Sequence, residues 1–169
     1  NSSLVEKNVF NDSFAKAAFI MDVVSDLTGL VEIAIYDSVS DLDIDSHDDQ
    51  NHVFIGAPGL LSKDGLEKPS AVVLTDLSFL GNRLIQKGNH HFFTSFQKNH
   101  LMGMCYNHMD FNLNYYQKPE KMLEEDSLPY IYESQDSLEQ KIKISNLANG
   151  IYRVKYGLIS KKGSVLSKY

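Results

Sequence analysis

The chain has 169 residues, 43% hydrophobic and 22% charged, with 16 Lys and Arg against 22 Asp and Glu for a formal net charge of −6. This is the composition of a globular chain of one or two domains. It excludes the ~18-residue apolar run of a membrane span and argues against these residues gripping a phosphate backbone. The single cysteine, Cys105, forms no internal disulfide. With no basic, apolar leader at the start, the sequence reads as cytoplasmic. It opens at Asn1 and closes at Tyr169 inside an alternating stretch, the pattern of a piece of a longer protein.

Phe14, Ala17, Ala18, Met21, Val24 and Leu27 recur at i, i+3, i+4 and i+7, which predicts an amphipathic helix over 11–28. Asn11, Asp12 or Ser13 can cap its start, and Gly29 can close its last turn. The β-branched run Val31–Tyr36 then predicts a buried strand of a parallel sheet. Residues 37–52 form a long acidic loop. Gly56, Pro58 and Gly59 mark an irregular segment, and Lys63-Asp64-Gly65 turns a small hairpin. Pro69 opens a second helix with a stripe at Val73, Leu77, Leu80 and Leu84, stopped by Gly88.

Beyond Gly88 the period changes to two. Residues 90–97 and 100–111 read as paired strands, and 138–146 with 151–160 as a second pair joined through Ala148-Asn149-Gly150. Lys161-Lys162-Gly163 turns into a last strand, and 117–127 is a charged surface loop. Residues 1–88 thus read as helix, strand and helix, and 89–169 as a β-meander or half-sandwich, an α+β chain.

Few motifs carry chemistry. Asp41-x-Asp43-x-Asp45 matches the first positions of a calcium loop, yet Ser46 stands where glycine is needed and His52 where a bidentate glutamate is needed, so a solvated acidic loop is the better reading. His47, His52, His90, His91, His100 and His108 show no i, i+4 metal spacing and read as surface or hydrogen-bonded histidines. No metal or cofactor is expected. Cys105, among Met102, Met104 and Tyr106, reads as a core thiol. Gly56 and Gly59 lack the third glycine of a phosphate loop. Tyr106, Phe111, Tyr115 and Tyr116 could stack on sugar rings or fill a core between two sheets; alternating aromatics favour the core. Residues 37–41 follow the predicted strand, where α/β barrels place binding groups, but no carboxylate there has a setting that predicts a retained proton.

Several phrases in order carry a resemblance: Asn1-Ser2-Ser3, Asn11-Asp12-Ser13, Lys16-Ala17-Ala18-Phe19-Ile20, Tyr36 to Asp41, Phe54-Ile55-Gly56-Ala57-Pro58-Gly59-Leu60 and Asp64-Gly65-Leu66-Glu67-Lys68-Pro69. They continue through Phe79-Leu80-Gly81, Leu84, Lys87-Gly88, Cys105-Tyr106-Asn107, Asn112–Tyr116 and Gly150-Ile151-Tyr152-Arg153-Val154. Together they resemble the closing part of glycoside hydrolase family 39, the β-xylosidase and α-iduronidase family. The resemblance implies a (β/α)8 barrel with an appended antiparallel β-sandwich. A barrel alone takes ~250 residues, so 1–88 would be its last α/β units and 89–169 sandwich strands.

Asn1 looks like the asparagine that follows the family's nucleophilic glutamate, which places both catalytic glutamates outside the chain and no catalytic residue within it. Inside the chain, Asp37 replaces a tryptophan, Ile55 a histidine, and Ile44 with Asp45 an acidic pair. Such losses weaken ring stacking and hydroxyl recognition. Drifted copies of this kind are similar to the carboxy-terminal module of bacterial AraC-type transcription regulators, as are Cys105-Tyr106-Asn107-His108 and Asn112-Leu113-Asn114-Tyr115-Tyr116. The resemblance therefore implies a non-catalytic sugar-sensing or interaction module controlling carbohydrate genes. DNA would be bound only by an upstream domain, and open strand edges would allow a homo-oligomer. The alternative is the tail of an active retaining family 39 glycosidase. A sugar ligand would be lined by Tyr36, Asp37 and Asp41.

Overall fold

A computed structural model describes residues 9–41, 53–97, 100–117, 130–133, 137–159 and 165–167. The chain divides into two compact units, Asn1–Gln135 and Asp136–Tyr169.

In the first unit a 3-10 turn, Val9–Asp12, leads into helix α1, Phe14–Leu27. Ser13 caps it by accepting the Lys16 N–H at 3.4 Å, and Gly29 follows in the left-handed region at φ +85°, as the spacing predicts. Its inner face is Ala17, Ile20, Met21 and Ser25, while Phe14 is turned outward.

Val31–Tyr36 departs from its predicted role. Only Val31 makes an isolated bridge, to Thr28, and the backbone from Glu32 to Asp37 makes no hydrogen bond to other backbone among the described residues. Ile33 is 78% and Ile35 87% exposed. A parallel strand exists through its neighbours, since its N–H and C=O groups point sideways out of the segment. No described residue supplies such a neighbour, so among the described residues the run is extended without a ladder.

The segment from 53 to 68 is irregular with a small turn, as expected: Leu61 bridges Glu67, and Gly65 at φ +80° turns the chain. Helix α2, Pro69–Ser78, starts with proline at its first position, where the missing N–H costs nothing. It ends ten residues short of the predicted stop. Leu84 continues the apolar spacing, but Gly81 abuts the backbone of Ser95 so closely that a Cβ would lie 2.2 Å from its carbonyl, and the Thr94 hydroxyl accepts the Gly81 N–H at 2.9 Å. The chain is committed to the sheet from there.

That sheet is antiparallel in the order β1, Arg83–Gly88; β2, His91–Ser95; β3, Leu101–Cys105. A bulge at Ile85 interrupts the β1–β2 register. In the β2–β3 register Phe93 faces Gly103, and its ring occupies the space a Cβ there would need. The predicted pair is present, although β3 stops at Cys105 rather than running to Phe111. Alternation along β3 turns Leu101, Gly103 and Cys105 outward, so Cys105 is an exposed thiol and not a core one. Partial burial still raises its pKa.

Phe111, Tyr115 and Tyr132 stack at 4.0 and 5.5 Å between centroids, and Phe10 meets Phe111 edge-on at 5.1 Å. The aromatics thus join the 3-10 turn, the five-residue helix α3, Leu113–Gln117, and Tyr132, rather than filling a space between two sheets. Tyr116 points outward. Burial beside Tyr115 pushes the Tyr132 phenol up to about 12.

In the second unit the strand pair predicted across Asn149-Gly150 is not present among the described residues. Pairing instead joins β4, Tyr156–Leu158, to β5, Val165–Ser167, antiparallel; the predicted Lys161-Lys162-Gly163 turn lies outside the described residues. Exposed Ile142, Ile144, Ile151 and Val154 bury no face that would hold the other register. The calcium-like positions after Asp41, His47, His52 and most of the 117–127 loop lie outside the described residues.

Candidate functional site

Three consecutive polar residues before α1 each hold a different group. Asn11 donates its amide to the Gly56 carbonyl at 2.8 Å, the Asp12 carboxylate accepts the Gly56 N–H, and Ser13 caps the helix. Gly56 is thereby held at both its C=O and its N–H, in a backbone conformation of φ +72° that favours glycine.

Lys68 occupies the cap position of α2, at the positive end of the helix dipole, and is 0% exposed. An ammonium there requires compensation, and it is complete. The Nζ lies 2.6 Å from Asp12 Oδ1, 2.6 Å from Asp41 Oδ2 and 2.7 Å from the Ala57 carbonyl, three acceptors for three N–H groups. Asp41, 1% exposed, accepts the Gly59 N–H on its other oxygen at 2.9 Å. Gly59 is obligatory, because a Cβ would lie 2.4 Å from that oxygen and 2.6 Å from the Ser40 carbonyl carbon. Tyr36 donates its hydroxyl to the Pro58 carbonyl at 2.8 Å.

Two carboxylates share one ammonium in this hub, and the imbalance shows. Burial raises the Asp12 pKa and the Asp41 charge adds to it, against the opposing pull of Lys68 and the Gly56 N–H. Burial also raises the Tyr36 phenol, with the Asp41 charge assisting and the Ser70 hydroxyl opposing. Lys16 lies over the rings of Phe10, Phe19 and Tyr36 at 5.4 to 5.9 Å, and burial lowers its pKa.

Of the three residues singled out for a ligand, Tyr36 and Asp41 meet at this hub. Asp37 does not. It is exposed, and its Oδ1 accepts the N–H of Ser38 at 2.8 Å. Ile55, where the resembled family commonly has histidine, is buried apolar surface. The sequence marks Asp12 only as a cap candidate and does not single out Lys68, although a lysine directly before a helix-opening proline is a usable signal: charge of that sign at that end calls for acids from elsewhere. A hub whose ammonium and carboxylates are engaged in this way holds backbone segments together rather than offering those groups to a substrate.

Apart from the hub, a concavity of about 520 Å³ is lined by Asp22, Ser25, Asp26, Lys87, His90 and Tyr106. Lys87 spans it, bonding the Ser25 carbonyl and standing 3.7 Å from Asp26. His108 lies 4.0 Å from both Asp22 and Asp110. Among the described residues no three His, Cys, Asp or Glu side chains converge to hold a metal, and no helix is long and apolar enough to cross a membrane.

No family model and no curated protein matches the sequence. Solved structures do. A GH39 enzyme from Xanthomonas axonopodis pv. citri is 21% identical with a TM-score of 0.54, over 70% of this chain and 24% of that one. A GH39 β-xylosidase from Caulobacter crescentus is 24% identical with a TM-score of 0.50, over 61% and 23%. A monomeric β-xylosidase from Caulobacter crescentus CB15 is 25% identical with a TM-score of 0.48, over 56% and 19%. The fold is GH39-like. This chain spans at most about a quarter of the length of those enzymes. Four of the separate phrases that carried the sequence resemblance, around Asp12, Asp41, Gly56 to Gly59 and Lys68, converge on the one hub.

Proposed function

We propose that the chain is a non-catalytic GH39-like module serving sugar sensing or subunit contact in an AraC-type transcription regulator of the cytoplasm. Residues 1–88 would correspond to the end of the barrel and 89–169 to sandwich strands. With both catalytic glutamates placed outside the chain by the resemblance, one observation supports a scaffold role for the acid within it. Asp41, the acid that follows the strand-like run, is buried and spent on Lys68 and the Gly59 N–H, so its carboxylate serves the scaffold. What survives from the family pattern is the set of residues that clamps loops; Asp37, which is exposed, and Ile55, which is buried, depart from it. DNA contact is assigned to an upstream domain, consistent with the acidic balance of this chain.

The test has two arms. The parent polypeptide is assayed for hydrolysis of an aryl β-xyloside, where enzyme-like turnover would make the chain part of an active glycosidase and end the proposal. The chain itself is melted with D-xylose and xylobiose. A stabilising shift reduced by Asp37→Ala supports sensing at this exposed carboxylate; no shift with either sugar removes sensing of them and leaves subunit contact.

A further inference from the structure

The C-terminal end of α1 carries charge of the wrong sign. The last four carbonyls of a helix lack partners within it and form the negative end of its dipole, where a cation stabilises and an anion destabilises. Yet the charged residues of the last two turns are Asp22 and Asp26, and the last turn has no basic residue. The cation comes from 62 residues beyond Ser25. Lys87, beside the β1–β2 turn, donates to the Ser25 carbonyl and stands 3.7 Å from Asp26. Thr28 closes the rest of the turn, with its hydroxyl and its N–H on the Val24 carbonyl at 2.6 and 3.0 Å.

The sheet aims Lys87 at that end. Lys87 pairs with Phe92 across the β1–β2 ladder, so the two side chains share a face, and buried Phe92 marks it as the inner one. Tyr106 reaches the same helix end: burial raises its phenol, with the Ser25 hydroxyl opposing and the Asp22 charge assisting. Its N–H is bonded to the His90 carbonyl at 2.9 Å, which ties it to the β1–β2 turn. The dependence runs both ways. The helix end needs the ammonium, and the ammonium finds the Ser25 carbonyl only where the last turn is wound. The 520 Å³ concavity opens between the two, and the side chains of Lys87 and Asp26 are 34% and 77% exposed, so dissolved ions reach the contact.

We propose that Lys87 is a salt-sensitive latch: the last turn of α1 and the β1–β2 end of the sheet open and close as one unit, and ions entering the concavity favour the open form. The latch joins residues within this chain and belongs equally to a regulator module or a glycosidase tail. Such locally cooperative units open at free energies below that of global unfolding, which makes them visible in the exchange of their amides.

Residue-resolved amide hydrogen exchange of the full 169-residue chain tests it. Lys87→Met keeps the apolar stem and removes the charge. It is expected to speed exchange about tenfold at Thr28, on the helix side, and at Tyr106, on the sheet side, together. The hub amides of Gly59 and Lys68 should keep their rates. In the wild type about 1 M salt should speed the same two amides relative to the hub, and in Lys87→Met it should add little. A rise at Thr28 without Tyr106, or the reverse, would show two independent ends and overturn the latch. Unchanged rates in Lys87→Met, or a uniform rise that includes Gly59 and Lys68, would overturn it equally. The wild-type salt series needs no variant, so it decides the matter even where Lys87→Met fails to fold: rates at Thr28 and Tyr106 that ignore salt refute the proposal.

Discussion

Two neighbouring stretches of the first unit handle polar groups in opposite ways. Around Lys68 every N–H of the ammonium meets an acceptor, the Asp41 carboxylate is used on both oxygens, and Gly56 is held at both its C=O and its N–H. Along Glu32 to Asp37 the backbone makes no ladder bond among the described residues and the isoleucines face outward. The difference shows that the clamps are complete within the described residues while the strand-like run finds no neighbour among them. Clamps are satisfied by side chains within the chain, whereas a strand needs a neighbour.

Breaking the closed side should have the largest effect. Lys68→Ala leaves two buried carboxylates without a cation, and the expected loss is about 3–5 kcal/mol in equilibrium urea denaturation. Gly59→Ala should cost about 1–3 kcal/mol by the same measurement, because Asp41 or the Ser40 backbone must move to admit the Cβ.

The pH dependence of the hub sharpens the contrast further. Asp12 has a folded-state pKa above 3.8, so the folded protein binds that proton more tightly than the unfolded chain does. Its contribution to stability is full below 3.8 and lost as pH rises through the folded value. Asp12→Asn, which imitates the protonated acid, should therefore match the wild type at the acid end of a denaturation series from pH 3.5 to 6.5 and gain on it as pH rises. A variant that instead falls behind steadily with pH would mean that Lys68 needs both carboxylates charged.

The smallest effect belongs to the open side. Ile33→Ser, measured on dilute chain, should change stability by no more than about 0.5 kcal/mol, since an exposed side chain loses little on truncation. A cost near that of a core isoleucine would show that the run is covered.

Local features of the sequence carried much of this. Helix α1 announced itself by spacing, its Ser13 cap and Gly29; Pro69 marked the start of α2; β2 and β3 followed from the change of period. What escaped depended on distant residues. Nothing near Leu84 says that Gly81 will seat against Ser95 and end the helix, and nothing near Val31–Tyr36 says whether a partner strand exists. Cys105 was misplaced for a related reason, as β3 could put either of its two alternating sets inward, and Phe93 packing on Gly103 selects one. At the candidate site Tyr36 and Asp41 were legible from their place after the strand-like run, but their engagement was not, because Lys68 and Asp12 come from two other phrases of the chain.

Amide hydrogen exchange on dilute chain tests the contrast between the two stretches most directly. The account predicts slow exchange at Gly56, Gly59, Asp41 and Lys68, whose N–H groups are bonded at the hub, and fast exchange from Glu32 to Asp37. Hub amides that exchange as fast as those of the open run would contradict it.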